Sequence, residues 1–366
     1  MKVALFVDST GENGTFFPEE FLNELFLSDV RIEIFARQHQ AENKNQLVKI
    51  HPYDSGFFKI LTPSSKSSGL LHPSIKWKKI IDGEKFDLVL GVNLDGFASA
   101  SINTDNWVLP YILDFTKKKT GMFRRLKGNI FNNTSVDLGE TNSIITGCNE
   151  TMEQMISRGI IRNTSYLLPL PLPEISFIDT VKTKEIGCWC RNSESIDYAV
   201  LSLKMMLELG YDYFLRIYLN QGNGIDLSAI SPSLKNNIKF RNISTYKSFI
   251  EDVSSCSVFL NTDVTGENGD RDFTAVYSRL SSLAGVAQVA SCHGAYPDVI
   301  EEGITGFLIP ERNIEAVTDR CLEILTTHQS IDNMGKNARA KIEYQFDNRK
   351  LAHNLAGFLH HLVART

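Results

Sequence analysis

The sequence contains no hydrophobic run that approaches the roughly 20 residues needed to cross a bilayer. The apolar stretch at its start runs only from Val3 to Val7, and Asp8 ends it. A signal peptide would need an apolar region of roughly 7–15 residues. We therefore expect the stretch to form a first β-strand. Neither a heptad repeat nor a low-complexity tract interrupts the chain.

The sequence also lacks an excess of positive charge. Its formal net charge is −5, whereas a general nucleic-acid-binding protein needs a basic face that displaces counterions. The charge balance therefore argues against nucleic acid as a partner.

Cysteines are few for the length, six in 366 residues, and they do not form a disulfide framework. Cys188 and Cys190 make a Cys-x-Cys pair, but no second pair or histidine cluster accompanies it. We therefore expect buried thiols and no metal site. A reducing cytoplasm fits this cysteine usage best.

Segments typical of strands and of helices alternate along the chain, which predicts mostly parallel sheets covered on both faces. The length suggests about two domains. Pro169, Pro171 and Pro173 separate two such series, and each proline fixes φ and removes a donor, so this piece reads as a linker. We predict two doubly wound, Rossmann-like α/β domains, 1–172 and 182–345, that face each other across a cleft.

A glycine-punctuated stretch, SCHGAYPDVIEEGITGFLIP, runs from Ser291 to Pro310 after an apolar strand. Its pattern predicts a tight turn at Gly294 that leads into a short helix. Such a turn can bind an anion, because the first N–H groups of a helix lack internal partners and carry the positive end of its dipole. A turn of this kind also favours glycine for its positive φ alone, so the stretch leaves both interpretations open.

The order of features in the second half resembles retaining, family-four-like glycosyltransferases of the GT-B fold. GAYPDVIEEGITGFLIP is similar to their G-G-x-P-E-(I/V)-(I/V)-x-x-G-x-x-G-x-L-(V/I)-P segment. MGKNARAKIEYQF is similar to their M-G-x-x-A-R-x-x-(V/I)-x-x-x-F segment. The resemblance is strong over 285–346 and weaker over the rest of the chain.

This resemblance implies transfer of a sugar, with retention, from a nucleoside-diphosphate donor to a polysaccharide, glycolipid or related acceptor. It implies an acceptor-side domain at 1–172 and a nucleotide-sugar-binding domain at 182–345. A last helix, 346–366, would pack back on the N-terminal domain. No metal and no cofactor are expected, since the nucleotide sugar is the substrate.

The resemblance also assigns site residues. Arg191 stands where the family contacts the donor diphosphate, although a surface arginine after a strand would look the same. Gly294 and Ala295 would offer backbone N–H groups, and His293 would reach a phosphate or a sugar hydroxyl unless it is a polar turn residue. In the first half, the loop DSTGENGTFF offers the backbone at two glycines, which a plain turn explains equally well: Gly11 and Gly14.

Three departures from the family pattern concern charged or polar groups. The lysine expected shortly after Arg191 is missing. Of two family glutamates eight positions apart, the sugar-side one falls on Asp272. The ribose-side one falls on Leu280 or its neighbour Arg279, where Ser278, Ser281 or a neighbouring serine would have to contribute. The family His-Asp pair near the sugar ring is replaced by Leu-Asp, which leaves one polar contact, Asp114.

These losses leave two hypotheses open. The chain is either a divergent glycosyltransferase that holds its donor differently, or a catalytically degenerate member that binds or activates an active homologue. A basic run at 117–127, KKKTGMFRRLK, is either a solvated loop or a contact with anionic lipid, which attracts each charge by roughly 1 kcal/mol. The second reading places the protein at the inner face of the membrane.

Overall fold

The computed structural model describes residues 1–9, 17–38, 48–52, 75–93, 100, 108–113, 143–159, 164–176, 180–189, 191–220, 232–266, 269 and 271–364. Contacts divide the chain into two compact units. Unit 1 is Met1–Glu174 with Asn348–Thr366, and unit 2 is Ile175–Asp347.

Unit 1 is built on a parallel sheet of seven strands in the order β3-β2-β1-β4-β5-β6-β7. Its described strands are β1 Lys2–Ser9, β2 Arg31–Gln38, β3 Lys49–Pro52, β4 Leu88–Val92, β5 Val108–Ile112, β6 Ser143–Thr146 and β7 Thr164–Leu167. Its described helices are α1 Glu19–Leu27, α2 Ile75–Gly83, α3 Asn149–Ser157 and, from the end of the chain, α10 Asn348–Val363.

The sheet of unit 1 has a hydrophobic core on each face. Strand β1 contributes to both cores, because successive side chains of a strand point to opposite faces. Val3 and Leu5 of β1 belong to the core that α1 and α10 complete. Phe6 of the same strand belongs to the opposite core, where its ring stacks on Phe35 and meets the edge of Trp77 in α2.

Helix α10 contributes its apolar face to the core of unit 1. Leu355 and Leu359 are fully buried in that core. At the start of the helix, the Asn348 side chain donates to the Leu172 carbonyl at 2.8 Å, and Phe358 stacks on Tyr166 with ring centroids 4.8 Å apart. These contacts fix the last helix on the unit to which the first half of the chain belongs.

Unit 2 is built on a parallel sheet of six strands in the order β10-β9-β8-β11-β12-β13. Its described strands are β8 Glu185–Trp189, β9 Phe214–Asn220, β10 Ile238–Ile243, β11 Val258–Asn261, β12 Ala287–Ser291 and β13 Gly306–Ile309. Its described helices are α4 Ser193–Glu208, α5 Tyr246–Val253, α6 Val276–Leu283, α7 Tyr296–Val299, α8 Ile314–Leu325 and α9 His328–Gln345, with a 3₁₀ turn at Pro232–Asn237.

The central strands of unit 2 are buried along their whole length, as strands of a parallel sheet are when helices cover both faces. The predicted pair of doubly wound α/β domains is thereby confirmed at the level of the two sheets and their helices. No helix in the described part of the chain is long and apolar enough to cross a membrane.

Candidate functional site

The sheet of unit 2 reverses its strand order between β8 and β11, and open α/β sheets bind ligands at the carboxyl ends of the strands at such a point. Arg191 follows β8, and Asp263 follows β11. The Arg191 N–H donates to Asp263 Oδ1 at 3.1 Å, which joins the two strand ends. The sequence-predicted Arg191 therefore lies at the topological switch point.

The first turn of α4 fixes the backbone next to Arg191. The Asn192 side chain caps the helix by accepting from the Ser195 N–H at 2.9 Å. The Ser195 hydroxyl oxygen accepts from the Val264 N–H at 3.1 Å and is buried. Ser195 therefore ties α4 to the segment after β11, close to where the resemblance led us to expect a lysine.

Asp263 binds three other residues of the site, although it is only 1% exposed. Its Oδ1 accepts from Arg191, its Oδ2 accepts from the Tyr296 hydroxyl, and its carbonyl oxygen accepts from His293 Nε2 at 2.9 Å. Burial, and secondarily the nearby carboxyl group of Asp272, raises the pKa of Asp263 to about 6, against the lowering effect of Tyr296 and Arg191. Such a perturbed acid at a switch point is typical of a functional site.

The raised pKa predicts that Asp263→Asn stabilises the protein at neutral and alkaline pH. The folded state favours the protonated carboxyl group of Asp263. The contribution of this group to stability is therefore complete below the unfolded pKa of 3.8 and is lost as the pH rises through about 6. A shift of this size corresponds to about 3 kcal/mol. Asparagine stays neutral, so we expect the variant to exceed the wild type in unfolding free energy by up to that amount at pH 8 and to match it near pH 4.

Denaturant unfolding across pH 4–8 measures this difference. Asp319→Asn, a change of an exposed acid on α8, is the matched control and should follow the wild-type pH dependence. A loss of stability in Asp263→Asn at pH 8 would mean that the ionised carboxylate stabilises the fold and would contradict the prediction.

Asp272 lies before α6 and uses one carboxylate oxygen to hold the turn that leads into that helix. Its Oδ1 accepts from the N–H and hydroxyl of Thr274, both at 2.9 Å, and from the Ala275 N–H at 2.8 Å. Its Oδ2 lies 3.5 Å from the Tyr296 hydroxyl. The side chain is half-buried, so Oδ2 is the oxygen that these bonds within the turn leave for a ligand.

The glycine turn packs directly against the backbone of Asp272. Gly294 has φ +61°, and a Cβ on it would lie 2.2 Å from the Asp272 carbonyl oxygen. The next residue, Ala295, donates its N–H to that same carbonyl at 2.8 Å. The prediction that the Ala295 N–H contacts a phosphate is therefore not supported by this conformation, because the group already has an internal partner. The turn instead positions Asp272.

His293 is 3% exposed, and its ring is oriented by the bond from Nε2 to the Asp263 carbonyl. Because a carbonyl only accepts, Nε2 carries the proton. Nε2 also lies 3.9 Å from Oε1 of Glu311, which follows β13. Nδ1 is buried and has no hydrogen-bond partner in the described part of the chain. His293 therefore belongs to the same cluster as Arg191 and Asp272.

Glu311 binds the segment after β11 by accepting from the Thr265 N–H at 2.8 Å and from its hydroxyl at 2.5 Å. Burial by itself would raise the pKa of Glu311, but the bonds from Thr265 and the nearby His293 and Arg271 hold it below its ordinary value. Glu311 is therefore a fixed anion at the edge of the site.

The serines proposed for the ribose are used inside unit 2. The Ser278 hydroxyl donates to Gln288 Oε1 at 2.6 Å, and the Ser281 hydroxyl donates to the Ser278 carbonyl at 2.9 Å. Both side chains are buried, and Leu280 is 0% exposed. Because these groups already have partners in the interior, the geometry does not support the assignment of Ser278 and Ser281 to ribose binding.

Several predicted residues lie outside the described part of the chain, namely Gly11, Gly14, Asp114 and the basic run 117–127. The strand end before Asp114 is described, and there the Leu113 N–H donates to the Asn93 side chain at 2.9 Å. The described residues contain no group of three or more His, Cys, Asp or Glu side chains placed to hold a metal ion. Metal independence stays a prediction.

Sequence reasoning missed Asp263, Tyr296 and Glu311. The signal for Asp263 was its place directly after a buried strand, FLNTD, the same relation that Arg191 has to β8. Tyr296 occupies the variable position of the family segment, so no motif marked it. Only the contact with Asp263 and Asp272 identifies it.

Comparison with known sequences found no matching family model. Among curated relatives, a Salmonella typhimurium protein provisionally named colanic acid biosynthesis glycosyltransferase WcaL is 27% identical over 108 residues. The match covers 29% of this chain and 27% of the relative, so the chain matches about a quarter of the length of that relative.

Comparison with solved structures found matches over the whole chain. Sucrose-phosphate synthase from Thermosynechococcus elongatus superposes with a TM-score of 0.72 at 12% identity and covers 100% of both chains. Anabaena HepE, solved in complex with UDP-glucose, gives a TM-score of 0.67 at 14% identity and covers 99% of this chain and 100% of its own. The two parallel sheets and their helices thus have the fold of the GT-B glycosyltransferases.

Proposed function

We propose that this protein is a glycosyltransferase that binds a nucleoside-diphosphate sugar at the carboxyl ends of β8, β11 and β12 in unit 2. The observation that carries the proposal is the convergence of Arg191, Asp272 and His293 on one buried residue, Asp263, at the switch point of the sheet. A switch point is where sheets of this type bind nucleotides.

The names of similar proteins support the same chemistry. WcaL is named for the biosynthesis of a polysaccharide, and HepE was solved with UDP-glucose. We take from them the class of donor, a nucleotide sugar, and we take the carbohydrate or lipid-linked acceptor from the family resemblance of the sequence. We take retention of configuration, metal independence and the cytoplasmic site of action from the resemblance of the glycine segment and from the cysteine usage. Peripheral membrane contact through 117–127 would serve a lipid-linked acceptor.

The residues of this site match what the reaction needs. Breaking the glycosidic bond leaves negative charge on the diphosphate and positive charge on the sugar, and preorganised donors near the diphosphate lower the barrier. Arg191 supplies a cation whose backbone is fixed by Asp263. Asp272 supplies a carboxylate oxygen, Oδ2, for a sugar hydroxyl. The carboxylate expected at the ribose is absent, because that position falls on Leu280 or Arg279, both of which are buried inside the domain.

Calorimetric titration with UDP, GDP, ADP and dTDP tests the proposal. We expect one of them to bind with a Kd well below 1 mM. Its binding free energy would then be more favourable than the roughly −4 kcal/mol that corresponds to a Kd of 1 mM. The matching nucleoside without phosphates is the control and should bind far more weakly, because Arg191 contacts the diphosphate. If none of the four binds more tightly than millimolar, the protein does not use such a donor, and the role of a partner or activator of an active homologue takes the place of catalysis.

A further inference from the structure

Two carboxyl groups in the site share one hydroxyl. The Tyr296 hydroxyl contacts Asp263 Oδ2 in a short hydrogen bond and lies 3.5 Å from Asp272 Oδ2. Tyr296 reaches this place because α7 follows the Gly294 turn, which is itself packed on the Asp272 backbone. The hydroxyl thus lies between the buried acid and the half-buried one.

A phenol has a single proton, so it donates to only one of the two carboxyl groups at a time. When Asp263 is ionised, the Tyr296 hydroxyl donates its hydrogen bond to Asp263 Oδ2 and not to Asp272 Oδ2. When Asp263 carries a proton, Asp263 donates to the Tyr296 oxygen, and the Tyr296 proton turns to Asp272 Oδ2. The protonation state of the buried Asp263 therefore decides whether the half-buried Asp272 accepts from Tyr296.

We propose that Asp263 and Tyr296 are positioning residues that control Asp272, so that its Oδ2 accepts more strongly from a donor-sugar hydroxyl when Tyr296 donates to Asp263 than when Tyr296 donates to Oδ2 itself. The proposal rests on the proposed function, since it names which oxygen the sugar meets. The other oxygen of Asp272 is occupied by Thr274 and Ala275, so control of Oδ2 is control of the remaining acceptor.

The charged groups around Asp263 allow this exchange within a moderate pH range. Arg191 after β8 favours the ionised form, whereas Asp272 before α6 opposes it. His293 after β12 binds the Asp263 carbonyl rather than its carboxylate, and Glu311 after β13 lies 3.9 Å from the His293 ring. Burial and these opposing charges bring the pKa of Asp263 to about 6.

Carbon-13 NMR of the full chain labelled at aspartate Cγ tests the shared hydroxyl without any nucleotide. Asp263→Asn and Asp272→Asn assign the two resonances. We expect the Asp272 resonance to show a step at the pH at which Asp263 titrates, and we expect Tyr296→Phe to reduce that step to the part that the direct charge coupling of the two carboxyl groups produces. Tyr213→Phe is the matched control, because it removes another partly buried hydroxyl of unit 2, the one bonded to the Leu325 carbonyl, and should keep the step. The proposal is overturned by an Asp272 resonance that shows no step in the wild type, or by a step that keeps its full size in Tyr296→Phe.

Nucleotide release from UDP-glucose, GDP-mannose, ADP-glucose and dTDP-glucose, with water as acceptor, tests the consequence for the sugar. We expect kcat/KM to rise about tenfold from pH 5 to pH 8. A tenfold change corresponds to about 1.4 kcal/mol, which is the typical contribution of one hydrogen bond, here the one from Tyr296 that competes with the sugar hydroxyl. Asp263→Asn should remain at the low value at all pH, and Tyr296→Phe should lose the rise while Tyr213→Phe keeps it. A rise that persists in Tyr296→Phe overturns the control of Asp272 by Tyr296.

The two measurements separate this inference from the proposed function. If the NMR step is present but no nucleotide sugar is bound or turned over, the proposed function is contradicted. The role of Asp272 toward a sugar is then wrong, while the sharing of the Tyr296 hydroxyl is still supported. Turnover of a donor without the NMR step contradicts this inference alone.

Discussion

Replacing Arg191 by alanine should lower kcat for the active donor by at least ~10² while the protein stays folded. A positioned donor that stabilises transition-state charge typically contributes on the order of 3 kcal/mol, and this site lacks the lysine that would share the task. Folding should be retained because Arg191 is tied to Asp263 through its backbone N–H, which alanine keeps. Steady-state kinetics with the donor identified by titration, together with denaturant unfolding, measure both effects.

The kinetics of Arg191→Ala must be compared over a range of pH. The Arg191 charge lowers the pKa of Asp263, so its removal moves that pKa upward, and the plateau at alkaline pH is the fair comparison. Arg320→Ala removes an arginine of α8 that pairs with Glu323 and should leave kcat unchanged. Unchanged turnover in Arg191→Ala would show that this side chain does not stabilise the leaving diphosphate.

Gly294→Ala should destabilise unit 2 by roughly 2–5 kcal/mol. A left-handed backbone costs an L-residue roughly 1–2 kcal/mol, and overpacking adds about 1–3 kcal/mol. Both apply, because Gly294 has φ +61° and the new Cβ would lie 2.2 Å from the Asp272 carbonyl oxygen. Relief of the clash would separate Ala295 from Asp272, whose backbones are joined at 2.8 Å. We therefore expect donor binding to weaken in any Gly294→Ala protein that remains folded.

Gly303→Ala is the matched control for the backbone conformation alone. Gly303 lies in the same unit with φ +74°, but a Cβ on it would meet nothing within 4 Å. The unfolding free energy of Gly303→Ala should fall only by the cost of the left-handed backbone, about 1–2 kcal/mol. Equal losses in the two variants, measured by denaturant unfolding, would show that the close approach of Gly294 to Asp272 is not a constraint on the fold.

Much of the fold was predictable because its signals are local. β1 is an apolar run ended by an acid and a polar residue, and the proline-rich piece around Pro171 has too few donors to join a sheet centre. Two short edge strands were missed, Lys49–Pro52 and Thr164–Leu167. Each has only four residues, which is too short for a periodic pattern, and pairing with a neighbouring strand is what makes it a strand.

The site was predictable to the extent that it follows strand ends and a glycine turn. Arg191, Asp272 and His293 were recognised from their places in a pattern, and the structure brings them together. The serines of α6 were misread because a sequence does not say which side of a helix faces a ligand. Ser278 and Ser281 lie on the side that meets Gln288 of β12 and the interior.

The sequence by itself determined the alternation of strands and helices, the break near Pro171 and the left-handed turn at Gly294, because each depends on residues a few positions apart. Only the tertiary structure decided that Asp263 would meet Arg191, which is 72 positions away, and Tyr296, which is 33 positions away. Those meetings depend on β8 lying beside β11 and on the turn after β12 packing against the segment before α6. Strand order is a non-local choice set by burial of both sheet faces, so no local pattern contains it.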